Sequence, residues 1–305
     1  MPDCTDKTVL ITGANSGLGF EASKAFANKG ATVIMACRST ERGRRAATDL
    51  QGRIGNTGAT LNVRRCDLAS LDSIENFTTR VKQDYDSIDL LCNNAGVMAI
   101  PRQETEDGFE KQLGVNHLGH FALTGQLLNL LIESDGTSRI VTHSSAAHEM
   151  GEIDFDDLHG EQSYGKWEAY GQSKLANLLF AYELQRRLEE ANSTETISVA
   201  CHPGYAATNL QYRGPEQAGS TVHLGLMKAV NAIVGQSAAM GSLPLLYAAT
   251  ARDVQGGDYY GPNGFMNMRG APEKQSSSEP SYDQTAAAKL WERSEELTGT
   301  TFVFH

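Results

Sequence analysis

The sequence predicts a doubly wound α/β fold, in which one parallel β-sheet lies between two layers of helices. Six short segments rich in β-branched residues recur over the first two thirds of the 305 residues, and each ends in a Gly, Asn or Ser turn. Longer helical patterns separate these segments, as the crossover connections between parallel strands require. Because the segments are apolar on both faces, helices must cover both sides of the sheet. The predicted strands are KTVLITG, ATVIMAC, ATLNVRRCD, SIDLLCNNAG, SRIVTHSS and TISVACHPG.

The rest of the chain continues this order without a repeat or a domain boundary. We therefore expect a single domain over residues 1–305, a three-layer α/β/α sandwich. Residues 261–282 are rich in Gly, Pro and Ser, which predicts a surface loop. The segment TAAAKLWERSEELTG predicts a closing helix that ends at Gly299.

Composition excludes several classes of protein. A net charge of −11 opposes binding to nucleic acid or to an anionic membrane surface. The chain begins without a basic and apolar leader and contains no stretch of about 18 apolar residues that could span a bilayer. The five cysteines are widely spaced, without the pattern of a disulfide framework or a zinc site. These observations predict a cytoplasmic protein with no integral membrane segment and no nucleic-acid partner.

A glycine-rich turn, TGANSGLG, follows the first strand and opens the first helix. Gly13, Gly17 and Gly19 have the spacing G-x-x-x-G-x-G, which lets backbone N–H groups approach a pyrophosphate at the positive end of a helix. The alternative is a glycine-rich turn that binds nothing. The candidate cofactor contacts in this turn are Gly13, Asn15, Ser16, Gly17, Leu18 and Gly19.

The end of the second strand indicates which dinucleotide would bind. Proteins that prefer NAD usually carry an acid there to hold the ribose hydroxyls, but this chain has Cys37 followed by Arg38. Arg38 offers a charge-assisted fork for a 2′-phosphate, so we expect NADP(H) to be preferred over NAD(H). The alternative is a solvated arginine at a loop tip. Arg42, Arg44 and Arg45 are equally consistent with the polar face of a helix.

Two further turns lie where a dinucleotide would pass. Asp67, with Leu68, follows the third strand and is placed to meet an adenine amino group, although an acid there can instead cap the next helix. The NNAG turn ends the fourth strand near the expected path of a ribose, although Asn and Gly are also common turn residues. Its candidate contacts are Asn94, Ala95 and Gly96.

The segment AYGQSK places Tyr170 one helical turn before Lys174. Residues four apart share a helix face, so the hydroxyl and the ammonium can occupy one small volume. The apolar stripe of this helix lies about 100° away, which leaves the pair free to face a cleft. The stripe consists of Leu175, Leu178, Leu179 and Tyr182.

Six motifs in order, TGANSGLG, NNAG, VNHLGH, IVTHSS, YGQSK and HPG, make most of the chain resemble the short-chain dehydrogenase/reductase family, which has the Rossmann fold. Within that family the chain looks most like the retinol dehydrogenase and protochlorophyllide reductase branch. NSGLG, the long insert before the tyrosine, SKLANLLF and LWERSEELTG carry this closer resemblance.

The resemblance implies a catalytic tetrad. Tyr170 would be the general acid/base, and Lys174 would favour its phenolate and hydrogen-bond the nicotinamide ribose. Ser145 would polarise a substrate carbonyl, with the adjacent Ser144 as a competitor for that role. Asn116 would hold a water that relays protons, or would only satisfy backbone groups in a helix kink.

The HPGYAAT segment resembles the family's loop after the sixth strand. The resemblance implies that Pro203, Gly204 and Thr208 contact the cofactor, Thr208 through the carboxamide or the phosphates. Pro203 and Gly204 are also consistent with an ordinary turn. The histidines lack the acidic partners and spacing of a metal site, so no metal is expected.

The leading functional hypothesis is NADP(H)-dependent hydride transfer between nicotinamide and a small-molecule carbonyl/alcohol pair. Residues 205–240 would form a substrate-binding lid, and their apolar side chains suit a lipophilic substrate. Two alternatives remain: a C=C reductase of the protochlorophyllide reductase type, and a non-catalytic NADP-binding sensor or scaffold. The intact tetrad argues against the second. The resemblance also implies a homo-oligomer.

Overall fold

A computed structural model describes residues 1–205 and 236–304 of the chain. In these residues a single sheet carries eight strands in the order β3-β2-β1-β4-β5-β6-β7-β8, parallel except that β8 is antiparallel to β7. The strands are β1 (Thr8–Thr12), β2 (Thr32–Cys37), β3 (Thr60–Arg65), β4 (Leu90–Asn93), β5 (Ser138–His143), β6 (Thr196–Cys201), β7 (Tyr259–Pro262) and β8 (Pro272–Gln275). The six predicted strands and the doubly wound class are confirmed.

Helices connect these strands on both faces of the sheet. They are α1 (Gly17–Ala27), α2 (Thr40–Arg53), α3 (Leu71–Asp84), α4 (Lys111–Leu113), α5 (Gly119–Ile132), α6 (Lys166–Glu190), α7 (Ala238–Gly241), α8 (Leu243–Thr250) and α9 (Gln284–Thr298). A π-helical turn, Gly114–Leu118, joins α4 to α5. The closing helix α9 ends as predicted, with Gly299 in the left-handed conformation at φ +63°.

Alternate side chains of the strands enter two separate cores. Val9 and Ile11 of β1 pack in the core beneath α1, α2 and α8, whereas Leu10 between them packs in the core beneath α3, α5 and α6. This alternation follows from the two-residue period of a strand. Strands buried on both faces explain why the predicted segments read as continuous apolar runs.

The expectation of a surface loop over residues 261–282 is wrong in part. That segment holds the end of β7, the strand β8 and two 3₁₀ turns, Phe265–Asn267 and Glu279–Tyr282. β8 pairs with β7 from Tyr259↔Gln275 to Pro262↔Pro272 at the edge of the sheet. An edge strand tolerates proline, so the local composition concealed it.

The strand order reverses between β1 and β4, because β1 pairs with β2 on one side and with β4 on the other. In open α/β sheets the crevice at such a reversal, at the carboxyl ends of the strands, is where ligands bind. Most of the expected lid over residues 205–240, including Thr208, lies outside the described residues. Among the helices that are described, none is long and apolar enough to cross a membrane.

Candidate active site

The glycine-rich turn forms a close-packed cradle at the N-terminus of α1. Gly13 and Gly17 are left-handed, with φ of +68° and +57°, a conformation that glycine adopts without steric cost. A Cβ atom on Gly19 would lie 2.6 Å from both Asn94 Nδ2 and the Gly13 carbonyl oxygen. Only a glycine fits there, and the open helix N-terminus beside it suits the pyrophosphate of a dinucleotide.

Thr12 joins the glycine-rich turn to the NNAG turn. Its hydroxyl oxygen accepts hydrogen bonds from the backbone N–H groups of Asn94 and Ala95, both at 2.9 Å. In return, Asn94 Nδ2 donates to the Thr12 carbonyl oxygen at 2.7 Å. Thr12 begins the TGANSGLG motif, but its part in joining the two turns has no signal in the sequence. The bonds hold the two turns as one surface.

Most of the residues expected to bind a cofactor meet in a single cleft at the reversal point, whereas Tyr170 and Lys174 do not line it. The lining includes the candidate residues of the glycine-rich turn, Arg38, Asp67, Leu68, and Asn94, Ala95 and Gly96 of the NNAG turn. Asp67 does not cap α3, because the Ser70 side chain accepts the hydrogen bond of the Ser73 N–H there. Residues lining the cleft that the sequence analysis did not assign are Thr12, Ala36, Ser39, Arg42, Cys66, Val97, Lys111 and Val115.

The charged side chains that line the cleft beside the end of β2, where the adenosine of a dinucleotide would lie, are positive. Arg38 and Arg42 both line the cleft, and neither forms an ion pair with a described residue. Burial raises the pKa of the Cys37 thiol to about 12, so it is neutral at physiological pH. No negative group at the end of β2 therefore opposes a phosphate at this position.

The chemical end of the site lies on α6. Tyr170 and Lys174 are each 5% exposed, and the Lys174 Nζ lies 5.8 Å from the centroid of the Tyr170 ring. Nζ donates a hydrogen bond to the His143 carbonyl oxygen at 3.2 Å, at the carboxyl end of β5. The spacing of four residues thus brings the pair to one side of the helix, next to the sheet edge that carries the cleft.

Burial dominates the protonation of this pair. It raises the pKa of Tyr170 to about 12, against a smaller lowering by the Ser145 side chain. Burial also lowers the pKa of Lys174 to about 8. Burial is the largest influence on the pKa of Tyr170, and the expectation that Lys174 favours the phenolate stays a prediction. Tyr170 carries its proton at neutral pH.

The two adjacent serines have different partners. The Ser144 hydroxyl is buried and donates to the Lys174 carbonyl oxygen at 2.8 Å, which anchors α6 to the strand. The Ser145 side chain instead lies near the Tyr170 hydroxyl and lowers the pKa of that phenol. It also caps the 3₁₀ turn Ala146–Met150 by accepting from the Ala147 N–H. Of the two serines, Ser145 is the one whose side chain lies near the Tyr170 hydroxyl.

Asn116 lies in the π-helical turn and uses its side chain to hold backbone. Oδ1 accepts from the Val97 N–H at 2.8 Å, and Nδ2 donates to the Val97 carbonyl oxygen at 2.9 Å and to Ser173 Oγ at 2.9 Å. Of the two roles left open, the one in a helix kink matches these contacts. Gly96 lies close to both side chains, since a Cβ there would lie 3.0 Å from Asn116 Oδ1 and 3.7 Å from Lys174 Nζ.

The loop after β6 reaches the same edge of the sheet. Gly204 is left-handed at φ +61°, and a Cβ on it would lie 2.4 Å from the Met268 carbonyl oxygen. The Pro203 carbonyl oxygen accepts from Gln236 Nε2 at 2.7 Å. Neither residue lines the nucleotide cleft described above. Their expected contacts with a cofactor remain predictions.

Comparisons with known proteins agree with this geometry. A model of the short chain dehydrogenase family matches residues 7–218. Mouse retinol dehydrogenase 14 is 41% identical over 308 residues, covering 96% of this chain and 86% of the relative. Human retinol dehydrogenase 13 is 40% identical over 297 residues, with coverages of 96% and 85%.

Solved structures give the same result. An uncharacterized protein from Mycobacterium paratuberculosis is 41% identical, with a TM-score of 0.80 and coverages of 99% and 97%. A short chain dehydrogenase from Shigella flexneri complexed with NADP shares the fold at 23% identity, with a TM-score of 0.62 and coverages of 85% and 98%. With the glycine cradle and the Tyr170–Lys174 pair in place, this chain belongs to the short-chain dehydrogenase family, whose members are oxidoreductases that use a nicotinamide cofactor.

Proposed function

We propose that this protein is an NADP(H)-dependent oxidoreductase that transfers a hydride between nicotinamide and the carbonyl/alcohol pair of a lipophilic small molecule. The observation that carries the proposal is the buried phenol of Tyr170, with Ser145 near its hydroxyl and with Lys174 beside its ring and next to Gly96 of the cleft. A proton donor beside a hydroxyl that polarises the substrate oxygen is what carbonyl reduction requires.

Each side chain has a distinct part in this chemistry. Bound NADPH supplies the hydride. Tyr170 donates its phenolic proton to the substrate oxygen, and the Ser145 hydroxyl stabilises the negative charge that develops there. Lys174 orients the nicotinamide ribose and keeps a positive charge beside Tyr170. Because burial raises the pKa of Tyr170 to about 12, the phenol carries the proton that carbonyl reduction requires near neutral pH.

The preference for NADP(H) rests on the adenosine end of the cleft. Arg38 and Arg42 line it without ion-pair partners among the described residues, and Cys37 is neutral. A guanidinium fork binds a phosphate more strongly than a hydroxyl, so a 2′-phosphate gains affinity there. Asp67 lines the same cleft, and we expect it to accept a hydrogen bond from the adenine amino group.

A lipophilic substrate is supported by an apolar rim near the tetrad. Trp167 is 44% exposed and packs edge-on against Tyr170, with ring centroids 6.2 Å apart. Met150 ends the 3₁₀ turn that begins after Ser145 and is 63% exposed. Exposed large apolar groups beside a reactive pair mark a place where an apolar ligand can bury surface. The names of the retinol dehydrogenase relatives point to the same class of substrate.

The test is the consumption of NADPH by purified protein across a panel of aliphatic, aromatic and terpenoid aldehydes and ketones, beside direct titrations with NADPH and NADH. We expect turnover that rises with the apolar size of the carbonyl, and tighter binding of NADPH than of NADH. Enones with a reducible C=C bond belong in the panel, with products identified by mass. Tight binding of NADPH without turnover of any carbonyl, or reduction of C=C bonds only, would contradict the proposal.

A further inference from the structure

Gln112 has one of the most connected side chains near the site. It is fully buried, and its amide contacts three residues in two other segments of the chain. Oε1 accepts from the Ala99 N–H at 2.7 Å. Nε2 donates to the Tyr164 hydroxyl at 2.9 Å and to the Lys166 carbonyl oxygen at 2.9 Å. A buried amide with three good hydrogen bonds fixes both segments relative to α4.

Two of these contacts lead directly to the reacting groups. Lys166 is the first residue of α6, and α-helical geometry assigns its carbonyl oxygen to the N–H of Tyr170. Gln112 therefore binds the carbonyl that anchors the backbone of Tyr170. Ala99 lies three residues beyond Gly96, in the segment 96–101 that passes Lys174.

The backbone conformation of Ala99 needs a stabilising contact from another part of the chain. Its φ is +48°, in the left-handed region that is unfavourable for residues with a Cβ. The hydrogen bond from its N–H to Gln112 is the contact that secures this residue. Without it, the segment 96–101 would relax toward other conformations.

Asn116, one turn after Gln112, repeats the same arrangement. Each amide binds the segment 96–101 on one side, at Ala99 or Val97, and α6 on the other, at Lys166 or Ser173. Gln112 and Asn116 therefore link that segment at two places to the helix that carries Tyr170 and Lys174.

Neighbouring groups hold Gln112 itself. The buried carboxylate of Glu110 caps α4 by accepting from the N–H groups of Gln112 at 2.9 Å and Leu113 at 2.7 Å. The Tyr164 hydroxyl lies 3.1 Å from Glu110 Oε1 and 3.0 Å from the Ile100 carbonyl oxygen. Burial of this polar cluster costs free energy. Because its contacts converge on the site, we expect the cluster to offset that cost by placing the residues of the site precisely.

We propose that Gln112 is a positioning residue for hydride transfer, which sets the distance between the segment 96–101 and the turn of α6 that bears Tyr170. The inference rests on the proposed function of that site and adds a residue to it. Gln112 acts through Ala99 and Lys166 and does not contact the reacting atoms.

The chain offers a matched control. Gln185 is another buried amide on a helix, whose Oε1 accepts from the Ser198 N–H at 2.8 Å, but it lies three turns beyond Lys174 on α6. Gln112→Leu and Gln185→Leu each remove a buried amide and leave one backbone N–H unpaired, so both should lower the melting temperature.

Of the two leucine variants, only Gln112→Leu should change catalysis. We expect kcat/KM for the best carbonyl to fall by about tenfold or more, mainly through kcat, because small displacements of reacting groups are costly. Affinity for NADPH should stay within about threefold, since the phosphates and the adenosine are held by other turns. Tyr164→Phe, which removes one acceptor of Gln112 and is less disruptive, should lower kcat in the same sense.

Hydrogen exchange gives a readout that needs no turnover. In protein saturated with NADPH, the backbone amide of Ala99 should lose protection in Gln112→Leu and keep it in Gln185→Leu. Equal effects of the two leucine variants on kcat, or unchanged exchange at Ala99, would overturn the inference. If the native protein turns over no carbonyl, the proposed function fails, while the exchange comparison still decides whether Gln112 holds the segment.

Discussion

The Lys174 ammonium donates a hydrogen bond to the backbone carbonyl oxygen of His143 at 3.2 Å, which ties helix α6 to the carboxyl end of β5. Asn177, three residues beyond Lys174 on the same helix, donates to the same oxygen at 2.8 Å. The shared acceptor holds a buried cation at a fixed place beside Tyr170. Burial lowers the pKa of that cation to about 8, so its charge is sensitive to pH close to physiological conditions.

Replacing Tyr170 by phenylalanine should remove turnover and leave the cofactor in place. The ring keeps its packing, but the proton donor is lost, and a positioned acid is worth about 10²–10⁴-fold in rate. We expect kcat to fall by that amount while the affinity for NADPH measured by fluorescence titration changes little.

Tyr182→Phe is the matched control for this experiment, because Tyr182 is a buried tyrosine of the same helix whose hydroxyl contacts Ser277 at 2.8 Å. It should keep nearly full activity. Substantial turnover by Tyr170→Phe would remove Tyr170 from the role of acid.

Arg38→Asp should move the cofactor preference from NADPH toward NADH. The change places a carboxylate where the 2′-phosphate is expected, which repels the phosphate and can accept from the ribose hydroxyls. The measurement is the ratio of the dissociation constants for NADPH and NADH.

Arg44→Asp makes the same change of charge at an exposed position of α2 that does not line the cleft, so it should leave the ratio nearly unchanged. Equal shifts in the two variants would mean that net charge alone sets the preference, and no shift in either would exclude Arg38 as a determinant.

Local sequence patterns predicted the parts of the fold that are local in origin. Strands β1–β6 are apolar on both faces and end in turn residues, so their pattern sufficed. Strands β7 and β8 have four residues each and lie among Gly and Pro, and they form because an existing sheet edge accepts them. Tertiary pairing of this kind leaves no periodic signal in the sequence.

The same distinction applies to the site. The spacing of Tyr170 and Lys174 predicted their shared face, but it carried no information about burial, which raises the pKa of Tyr170. Gln112 was missed because its partners Ala99, Tyr164 and Lys166 come from distant segments. Only the folded chain brings them together.

The stability of the protein should decline as pH falls below about 6.5, the ordinary pKa of histidine. Burial lowers the pKa of four histidines to between about 3 and about 4: His117, His120, His143 and His202. The unfolded chain binds these protons first, so stability rises with pH, and each histidine contributes a slope of up to about 1.4 kcal/mol per pH unit between the two pKa values.

Urea unfolding at several pH values between 7 and 5 measures this slope. His117→Gln should make it shallower by the contribution of one group, because the other histidines and the carboxylates titrate alike in both proteins. An unchanged slope would mean that His117 is protonated in the folded state or does not titrate in this range.

The kcat/KM for carbonyl reduction should fall as pH rises through about 8, because burial lowers the pKa of Lys174 to about 8. Below that pH the amine is protonated and can hold the ribose and support Tyr170, and above it the charge disappears. Tyr170, with a pKa raised to about 12, does not titrate in this window.

The measurement is kcat/KM with saturating NADPH from pH 6 to 10, which reports the ionisation of the form that binds the carbonyl. Lys174→Arg stays charged throughout, so its lower activity should show no descent near pH 8. A descent at the same pH in both proteins would assign the titration to another group.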